Sequence, residues 1–221
     1  MSCRLERTTG ISLYPRAGAI LAVLVATGAA AHAELIRFEH AGVGSGTLRL
    51  DDGTGQVIAF TDANFVITAI GDTDAREELF VNPIDPSYGY AITHQSTTIQ
   101  IDGVGSFVLN SETRTYAIRD VDGSGRIGLG RTRANGGFDL FNGPVMPDFS
   151  DWDMLSGIEL DSPSGGRLIQ WDAAPMETDG GSLVFQFNTA TPWSFRATMV
   201  PTPAGVGLFG FGSLLVMRRR R

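Results

Sequence analysis

Short runs of alternating apolar and polar residues dominate the middle of the chain. Thr97–Ile101 and Arg114–Arg119 alternate with a period of two, which is typical of a strand with one buried face. The same pattern, or enrichment in β-branched and aromatic residues, predicts further strands at Leu35–Glu39, Gly46–Leu50, Asn64–Gly71, Ser106–Leu109, Ser182–Phe187 and Trp193–Met199.

Turn-forming residues separate these runs, for example at Asp51–Gly55, Asp122–Gly125 and Asp179–Gly181. Helix signals are scarce, and only Asp74–Phe80 predicts one or two helical turns. The proline-bearing region Asn142–Glu177 is less regular, so we expect long loops and one or two strands there. Eight or more short strands predict an all-β fold, a single antiparallel β-sandwich of the jelly-roll type.

The N-terminal residues have the organisation of a secretory signal peptide. Three arginines precede the uncharged run Ala17–Ala31, and the small residues Ala31 and Ala33 occupy positions −3 and −1 of a cleavage site. We expect cleavage after Ala33, with cleavage after Ala31 and an uncleaved membrane anchor as the open alternatives. Cys3 precedes the apolar run, so lipid attachment at the cleavage site is not expected.

The C-terminus carries a second targeting pattern. Val200–Ala204 reads VPTPA, Val206–Met217 is uncharged, and the chain closes on four arginines. A helix over this apolar stretch would span about 18 Å, short of the hydrocarbon thickness of about 30 Å. The basic tail would stay on the cytoplasmic side. The segment therefore reads as a stop-transfer signal that is marginal as a permanent anchor.

This three-part order resembles the PEP-CTERM sorting signal of Gram-negative bacteria. The matching residues are Pro201, Thr202, Pro203, Ala204, Arg218, Arg219, Arg220 and Arg221. The resemblance implies that an exosortase-like enzyme reads the tail and removes it near the proline motif. Thr202 stands where the commonest form of the motif has glutamate, which leaves open the variant of the sorting enzyme. A simple tail anchor is the alternative.

The predicted domains are a signal peptide at 1–33, an extracellular β-sandwich at 34–198 and a sorting signal at 199–221. Of 17 basic residues, all arginine, seven lie in the two processed ends, and so does one of the 24 acidic residues. The mature part therefore has 10 basic and 23 acidic residues, a net charge of −13. Such acidity argues against binding nucleic acid and favours solubility outside the cell.

Part of the mature chain is similar to a recurring extracellular domain of exported bacterial proteins that carry this sorting tail. The similar stretches are GSGTLRL, Phe60–Asp74 and Thr97–Leu109. The resemblance implies a β fold and leaves the activity open.

One loop has a partial calcium-binding pattern. In Asp120–Arg131, the residues Asp120, Asp122 and Ser124 take positions 1, 3 and 5 of an EF-hand loop, but Arg131 replaces the bidentate glutamate of position 12. The plainer interpretation is a β-turn built from aspartate and glycine. Weak calcium binding is the alternative, and it needs a further carboxylate such as Asp151, Asp153 or Asp161.

Signals for enzymatic chemistry are weak. The mature part has no cysteine, no nucleophile elbow and no P-loop, and Gly123–Gly128 fits G-x-G-x-x-G without a following helix. His40 and His94 are the two histidines of the mature part, and we interpret both as structural or surface residues. Paired acids at 51/52, 72/74, 77/78 and 151/153 leave a glycosidase open, although chance pairs are expected at this acidity.

The three tryptophans at 152, 171 and 193 read mainly as core residues. Trp152 lies between acidic residues and is therefore the best candidate for an exposed ring that stacks on a sugar.

The sequence thus predicts an exported, non-enzymatic protein of the cell surface or extracellular matrix, with no required cofactor. The expected partners are the Sec translocon, signal peptidase, an exosortase-like enzyme and extracellular polysaccharide. We expect transient anchoring in the inner membrane by the tail, followed by release to the surface or beyond. A carbohydrate- or calcium-binding module and a secreted polysaccharide hydrolase are the alternatives.

Overall fold

The computed structural model describes residues 34–80, 88–120, 122–147, 152–173, 175–186 and 189–201. These residues belong to one compact unit of strands and turns with a single 3-10 turn at Arg133–Asn135. The strands are β1 (Leu35–Leu50), β2 (Val57–Phe80), β3 (Tyr88–Ile101), β4 (Gly105–Val108), β5 (Thr113–Arg119), β6 (Gly125–Arg131), β7 (Asp139–Asn142), β8 (Ile158–Leu168), β9 (Met176–Thr178), β10 (Gly181–Phe185) and β11 (Thr189–Val200).

Eight strands close into one antiparallel ring in the order β1, β2, β3, β5, β6, β7, β8 and β11, and β11 pairs back to β1. Leu35 is the clearest case, since it pairs with Asp72 of β2 on one side and with Val200 of β11 on the other. The all-β prediction is confirmed. The jelly-roll sandwich is wrong, because the described strands form one sheet whose ring of eight closes into a barrel.

β1 is one continuous strand, whereas the sequence predicted two short strands, Leu35–Glu39 and Gly46–Leu50. The glycine-rich segment between them belongs to the strand because core rings pack closely against its glycines. A Cβ on Gly42 would lie 2.9 Å from the Phe141 ring, and one on Gly44 would lie 2.7 Å from the Phe185 ring. The register shift between Gly44 and Gly46 adds a bulge, which bends β1 around the barrel. These glycines therefore make room for core rings.

The helix predicted at Asp74–Phe80 is also wrong. This segment is the second part of β2, and its residues from Arg76 onward pair with Tyr88–Ile92 of β3. Arg76 lies over the Tyr90 ring, 4.3 Å from its centroid, and donates a hydrogen bond of 2.9 Å to the Asp153 carbonyl. Tertiary pairing thus overrides a weak local preference.

Aromatic side chains fill the barrel, as expected for an eight-stranded ring. The largest fully buried side chains include Trp171, Trp193, Phe38, Phe65, Phe141, Phe185 and Phe195. The β9–β10 hairpin leaves the ring at β1 and reaches β4, where Thr178 bridges to Leu109. The hairpin is held there by Asp179, which donates its amide to the Val108 carbonyl at 3.1 Å.

Every strand predicted from the sequence lies within, or overlaps, an observed strand, and the irregular region 142–177 holds β8 and the start of β9. The sequence did not predict β6 or β7. The expected signal helix and C-terminal hydrophobic helix fall at 1–33 and 206–217, outside the described residues. Within the part of the chain that the structure describes, no helix has the length and apolar character needed to cross a membrane.

Candidate functional site

Two buried histidines from different strands meet at one threonine hydroxyl inside the barrel. His40 lies on β1, His94 on β3 and Thr115 on β5. Thr115 Oγ1 is 3.0 Å from Nε2 of His40 and 3.0 Å from Nε2 of His94. His40 and Thr115 are fully buried and His94 is 7% exposed. The two imidazoles and this hydroxyl therefore form one buried polar cluster.

Two further threonines extend this cluster beyond His94. Nδ1 of His94 lies 2.8 Å from Oγ1 of Thr113 and 3.3 Å from Oγ1 of Thr97. The hydroxyls of Thr97 and Thr113 are 2.7 Å apart. We call these five residues, His40, His94, Thr97, Thr113 and Thr115, the histidine–threonine cluster.

The number of hydrogen-bond donors and acceptors in the cluster indicates which nitrogen of each imidazole carries the proton. The Thr115 hydroxyl has one hydrogen, so it donates to one imidazole and accepts from the other. Nδ1 of His40 has no partner in either arrangement. An orphaned lone pair is tolerated better than an orphaned N–H. We therefore assign Nε2–H of His40 as donor to Thr115, the Thr115 hydroxyl as donor to His94, and Nδ1–H of His94 as donor to Thr113.

Burial keeps both imidazoles neutral. Desolvation lowers the pKa of His40 to about 3, and desolvation together with the nearby His40 lowers the pKa of His94 to about 3. Rings of Phe195 and Phe141 surround His40, with centroids 4.8 and 6.5 Å from its own. The cluster therefore presents two neutral bases in an apolar setting.

The cluster has the hydroxyl–imidazole contact of a nucleophile and its base, but it is enclosed. Acyl transfer requires a substrate atom to reach the hydroxyl, and Thr115 is fully buried. The cluster comes nearest to solvent at His94, which lies with Thr97 and Thr113 in a surface pocket of about 260 Å³. Ser96, Asn110 and Glu112 contribute further polar groups to this pocket.

A buried arginine lies near the same end of the barrel. Arg131 of β6 pairs with Thr113 in the strand register and is 7% exposed. Its Nη2 donates a hydrogen bond of 2.6 Å to the Pro175 carbonyl. Burial lowers the pKa of Arg131, and Glu177 opposes that shift. In the sequence, Arg131 stands at position 12 of the partial calcium-binding pattern. In the structure it is the last residue of β6 and pairs with Thr113 of β5.

Replacing Thr115 with valine should destabilise the protein by about 2–3 kcal/mol, because the isosteric change leaves Nε2 of both histidines without a partner. Thr115→Ser keeps the hydroxyl and is the matched control, with a loss of about 1 kcal/mol for its missing methyl group. Urea unfolding at pH 7.5 measures both. Equal stabilities of the two variants would contradict the bridging role.

The predicted calcium residues build a tight β5–β6 turn. The Asp120 amide donates to the Ser124 carbonyl at 2.8 Å, and Asp122 Oδ1 accepts from the amide and hydroxyl of Ser124 at 2.8 and 2.6 Å. These Ser124 bonds lower the pKa of Asp122. The backbone of Asp120 and the side chain of Asp122 thus both bond to Ser124, as in a β-turn built from aspartate and glycine.

The carboxylates proposed to complete that site lie elsewhere or are not described. Asp153 pairs with Arg76 at 3.5 Å, Asp161 lies on β8, and Asp151 is outside the described residues. Among the described residues no group of three or more histidine, cysteine or acidic side chains could hold a metal ion. Weak calcium binding stays a prediction.

Trp152 is buried, so the expectation of an exposed stacking ring is wrong. Its side chain is 8% exposed, its Nε1 donates to the Ser156 carbonyl at 2.9 Å, and its ring meets Phe195 edge-on at 5.5 Å. Trp171 and Trp193 are buried as well, at 0% and 2% exposure. The interpretation of the tryptophans as core residues is confirmed for all three.

One of the acidic pairs, Glu77 and Glu78, lines a groove. Glu77 and Glu78 of β2 face a depression of about 630 Å³ together with Glu112, Arg114, Thr93 and Thr132. Glu112 accepts a hydrogen bond of 2.8 Å from the Thr132 hydroxyl. Of the other described pairs, Asp52 accepts from Thr54 in the connection between β1 and β2, and Asp72 accepts from the Asp74 amide where the pairing of β2 shifts register between Gly71 and Arg76. The groove is an acidic concavity, which the hydrolase alternative requires together with two facing carboxylates about 5–10 Å apart.

Of the predicted processing residues, only Pro201 is described. It is exposed and directly follows β11. Ala31, Ala33, Thr202, Pro203, Ala204 and Arg218–Arg221 lie outside the described residues.

Comparison of the chain with protein-family models, with curated proteins and with solved structures finds no match.

Proposed function

We propose that this protein is an exported, non-enzymatic component of the cell surface or extracellular matrix, sorted by an exosortase-like enzyme and associated with extracellular polysaccharide. The observation that carries the proposal is the sequence of the two ends: an arginine-bearing and then apolar N-terminus with the small residues Ala31 and Ala33 at a predicted cleavage site, and a Pro201–Pro203 motif followed by an apolar stretch and four arginines. The link to polysaccharide rests on the resemblance of that tail to a sorting signal.

The position of the domain's two ends supports this processing. Leu35, the first residue of β1, pairs with Val200, the last residue of β11. Both predicted cleavage regions therefore continue from the same end of the barrel. Because ring pairing begins at Leu35 and ends at Val200, removal of both ends leaves every ring strand intact.

The interior of the barrel supports a non-enzymatic role. Aromatic rings occupy its centre, and the hydroxyl–imidazole contact at Thr115 is sealed from solvent. Pockets that bind small molecules are usually open concavities of about 300–1,000 Å³ lined by apolar groups and a few polar ones. The pocket that borders the histidine–threonine cluster at His94 is polar and has a volume of about 260 Å³.

Deleting residues 201–221 should move the protein from the cell envelope to the medium, because the truncated chain keeps the whole ring and loses only the sorting signal. Fractionation of the native host followed by immunoblotting measures the distribution. Replacing Arg218–Arg221 with alanine in the full chain is a second test, and it should also reduce retention of the protein in the cell envelope. An unchanged distribution of the truncated protein would refute sorting by the tail.

A second candidate function, a secreted polysaccharide hydrolase, is favoured by the groove with Glu77, Glu78 and Glu112. A glycosidase of the common two-carboxylate type would lose its activity on replacement of an essential carboxylate. Release of reducing ends from polysaccharide by the wild type, and its loss in Glu112→Gln, would establish this function in place of the first. Asp179→Asn, outside the groove, is the control.

A further inference from the structure

The first part of β2 lies at an edge of the sheet. Val57–Phe60 pairs with Gly46–Arg49 of β1 on one side. The pairing of β2 with β3 begins only at Phe65, so among the described strands none pairs with the other side of Val57–Thr61. We call Val57–Thr61 the open edge.

The hydrogen-bond register shows which backbone groups of the open edge point outward. The Leu50 amide donates to the Gln56 carbonyl at 2.9 Å, so these two residues form a hydrogen-bonded pair of the β1–β2 ladder. In an antiparallel ladder such pairs alternate with pairs that are not hydrogen-bonded. Ile58 therefore bonds to β1, whereas the N–H and C=O groups of Val57 and Ala59 point away from β1.

The side chains of the open edge carry none of the features that protect exposed edges. Its sequence, VIAFT, contains no charge, proline or glycine. Val57 is 48% exposed, and Ala59 and Thr61 are exposed as well. Native edge strands are usually blocked by charges, by proline or by a covering segment. The open edge is therefore a template for one more strand.

Two other edges of the described sheet are protected. The part of β8 that is not paired with β7 contains Pro163 and the exposed Asp161. The edge of β9 is covered by the chain that follows β4, since the Asn110 amide donates to the Glu177 carbonyl at 2.9 Å. The open edge differs from both.

We propose that the open edge is a self-association site, at which two copies of this chain join their sheets by antiparallel pairing. Because its backbone groups point outward at odd-numbered positions, a twofold axis through Ala59 puts Ala59 opposite its own copy and Val57 opposite Thr61, each as a hydrogen-bonded pair. Ile58 of one copy then lies beside Phe60 of the other. Both side chains belong to the apolar face of the sheet, where they pack with the core.

The charges that flank the open edge fit a second copy in this register. Asp62 ends the open edge, because its φ of 48° departs from strand geometry. In the proposed pairing Asp62 lies opposite Gln56 of the second copy, which is uncharged. The mature parts of two copies each have a net charge of −13 and repel each other. A contact between them has to avoid facing carboxylates, and this register does so.

Sedimentation equilibrium of the full chain, produced in its native host, tests the site. The wild type should pass from monomer to dimer as its concentration rises to about 200 µM, since an interface of this size is small and weak. Ala59→Asp and Ala59→Arg each put like charges face to face at the twofold axis and should raise the dissociation constant about fivefold. An equimolar mixture of the two variants should restore pairing, because aspartate then faces arginine.

Amide hydrogen exchange tests the register of the pairing. As the dimer forms, the amides of Val57, Ala59 and Thr61 should become protected, because they gain acceptors on the second copy. The Ile58 amide bonds to β1 and should be protected in monomer and dimer alike.

Three results would overturn the proposal: a wild type that stays monomeric up to about 200 µM, a dimer that both charge variants leave unchanged, and protection that does not alternate along the open edge. If a charge variant does not fold, the wild type alone decides. Its exchange must then show protection of Ala59 that rises with the fraction of dimer, and exchange of Ala59 that is independent of concentration would overturn the pairing.

Discussion

Lowering the pH from 7.5 to 5.0 should reduce the free energy of unfolding by about 4 kcal/mol, with about 2 kcal/mol from each buried histidine. The pKa of each is lowered from 6.5 to about 3 in the folded protein. Between these values the unfolded chain binds protons that the folded chain refuses. The stabilisation is therefore fully present above pH 6.5 and is lost as the pH falls towards 3.

Two aspartates with a lowered pKa, Asp52 and Asp122, act below this pH range. Hydrogen bonds from the Thr54 side chain and amide lower the pKa of Asp52, and those from Ser124 lower the pKa of Asp122. Their contribution to stability is present above the ordinary pKa of 3.8 and is lost only below it.

Urea unfolding at pH 7.5 and 5.0 measures the loss of stability caused by the two histidines, and His40→Gln and His94→Gln should each remove about half of that loss. A wild type equally stable at pH 7.5 and 5.0 would mean that the imidazoles are not held neutral.

Replacing Trp171 with alanine should destabilise the protein by about 3–5 kcal/mol, because it empties a large site in a close-packed core. Trp171 is fully buried, its ring meets Phe185 edge-on at 4.8 Å, and its Nε1 donates to the Leu140 carbonyl at 2.8 Å. That carbonyl keeps a second donor, the Ile169 amide at 3.0 Å. The loss therefore comes mainly from the cavity and from desolvated apolar contacts.

The midpoint and slope of urea unfolding at pH 7.5 give the stability of Trp171→Ala. Leu155→Ala is the control, since Leu155 is 42% exposed and its loss should cost less than about 0.5 kcal/mol. A loss below about 1 kcal/mol for Trp171→Ala would contradict the burial of Trp171 and its packing against Phe185.

The sequence placed many strands correctly because alternation is a local signal. It could not predict closure, since closure depends on pairing Leu35–Gly42 with Trp193–Val200, segments separated by most of the domain. It also predicted two short strands, Leu35–Glu39 and Gly46–Leu50, where β1 runs without a break through its glycines. Whether a glycine breaks a strand or admits a ring depends on what packs against it, here Phe141 and Phe185.

The buried histidines carried a signal that was available in the sequence. Ile36, Phe38 and His40 alternate with polar residues, and Ile92 and His94 have the same spacing, so a period of two puts each histidine on an apolar face. Their meeting at Thr115 could not be predicted, because it depends on the order of β1, β3 and β5 around the ring. Trp152 was misjudged for the converse reason, since its acidic neighbours in sequence do not reveal its contact with Phe195.

Export and processing at both ends is the central claim, and intact mass spectrometry of the protein recovered from the envelope and medium of its native host tests it most directly. We predict a mature chain that begins at Glu34 and ends within Pro201–Ala204, one to four residues beyond the end of β11. Any mass added at the new C-terminus would identify what the protein is joined to. A chain that still ends at Arg221 would contradict processing of the tail and indicate a membrane-tethered protein.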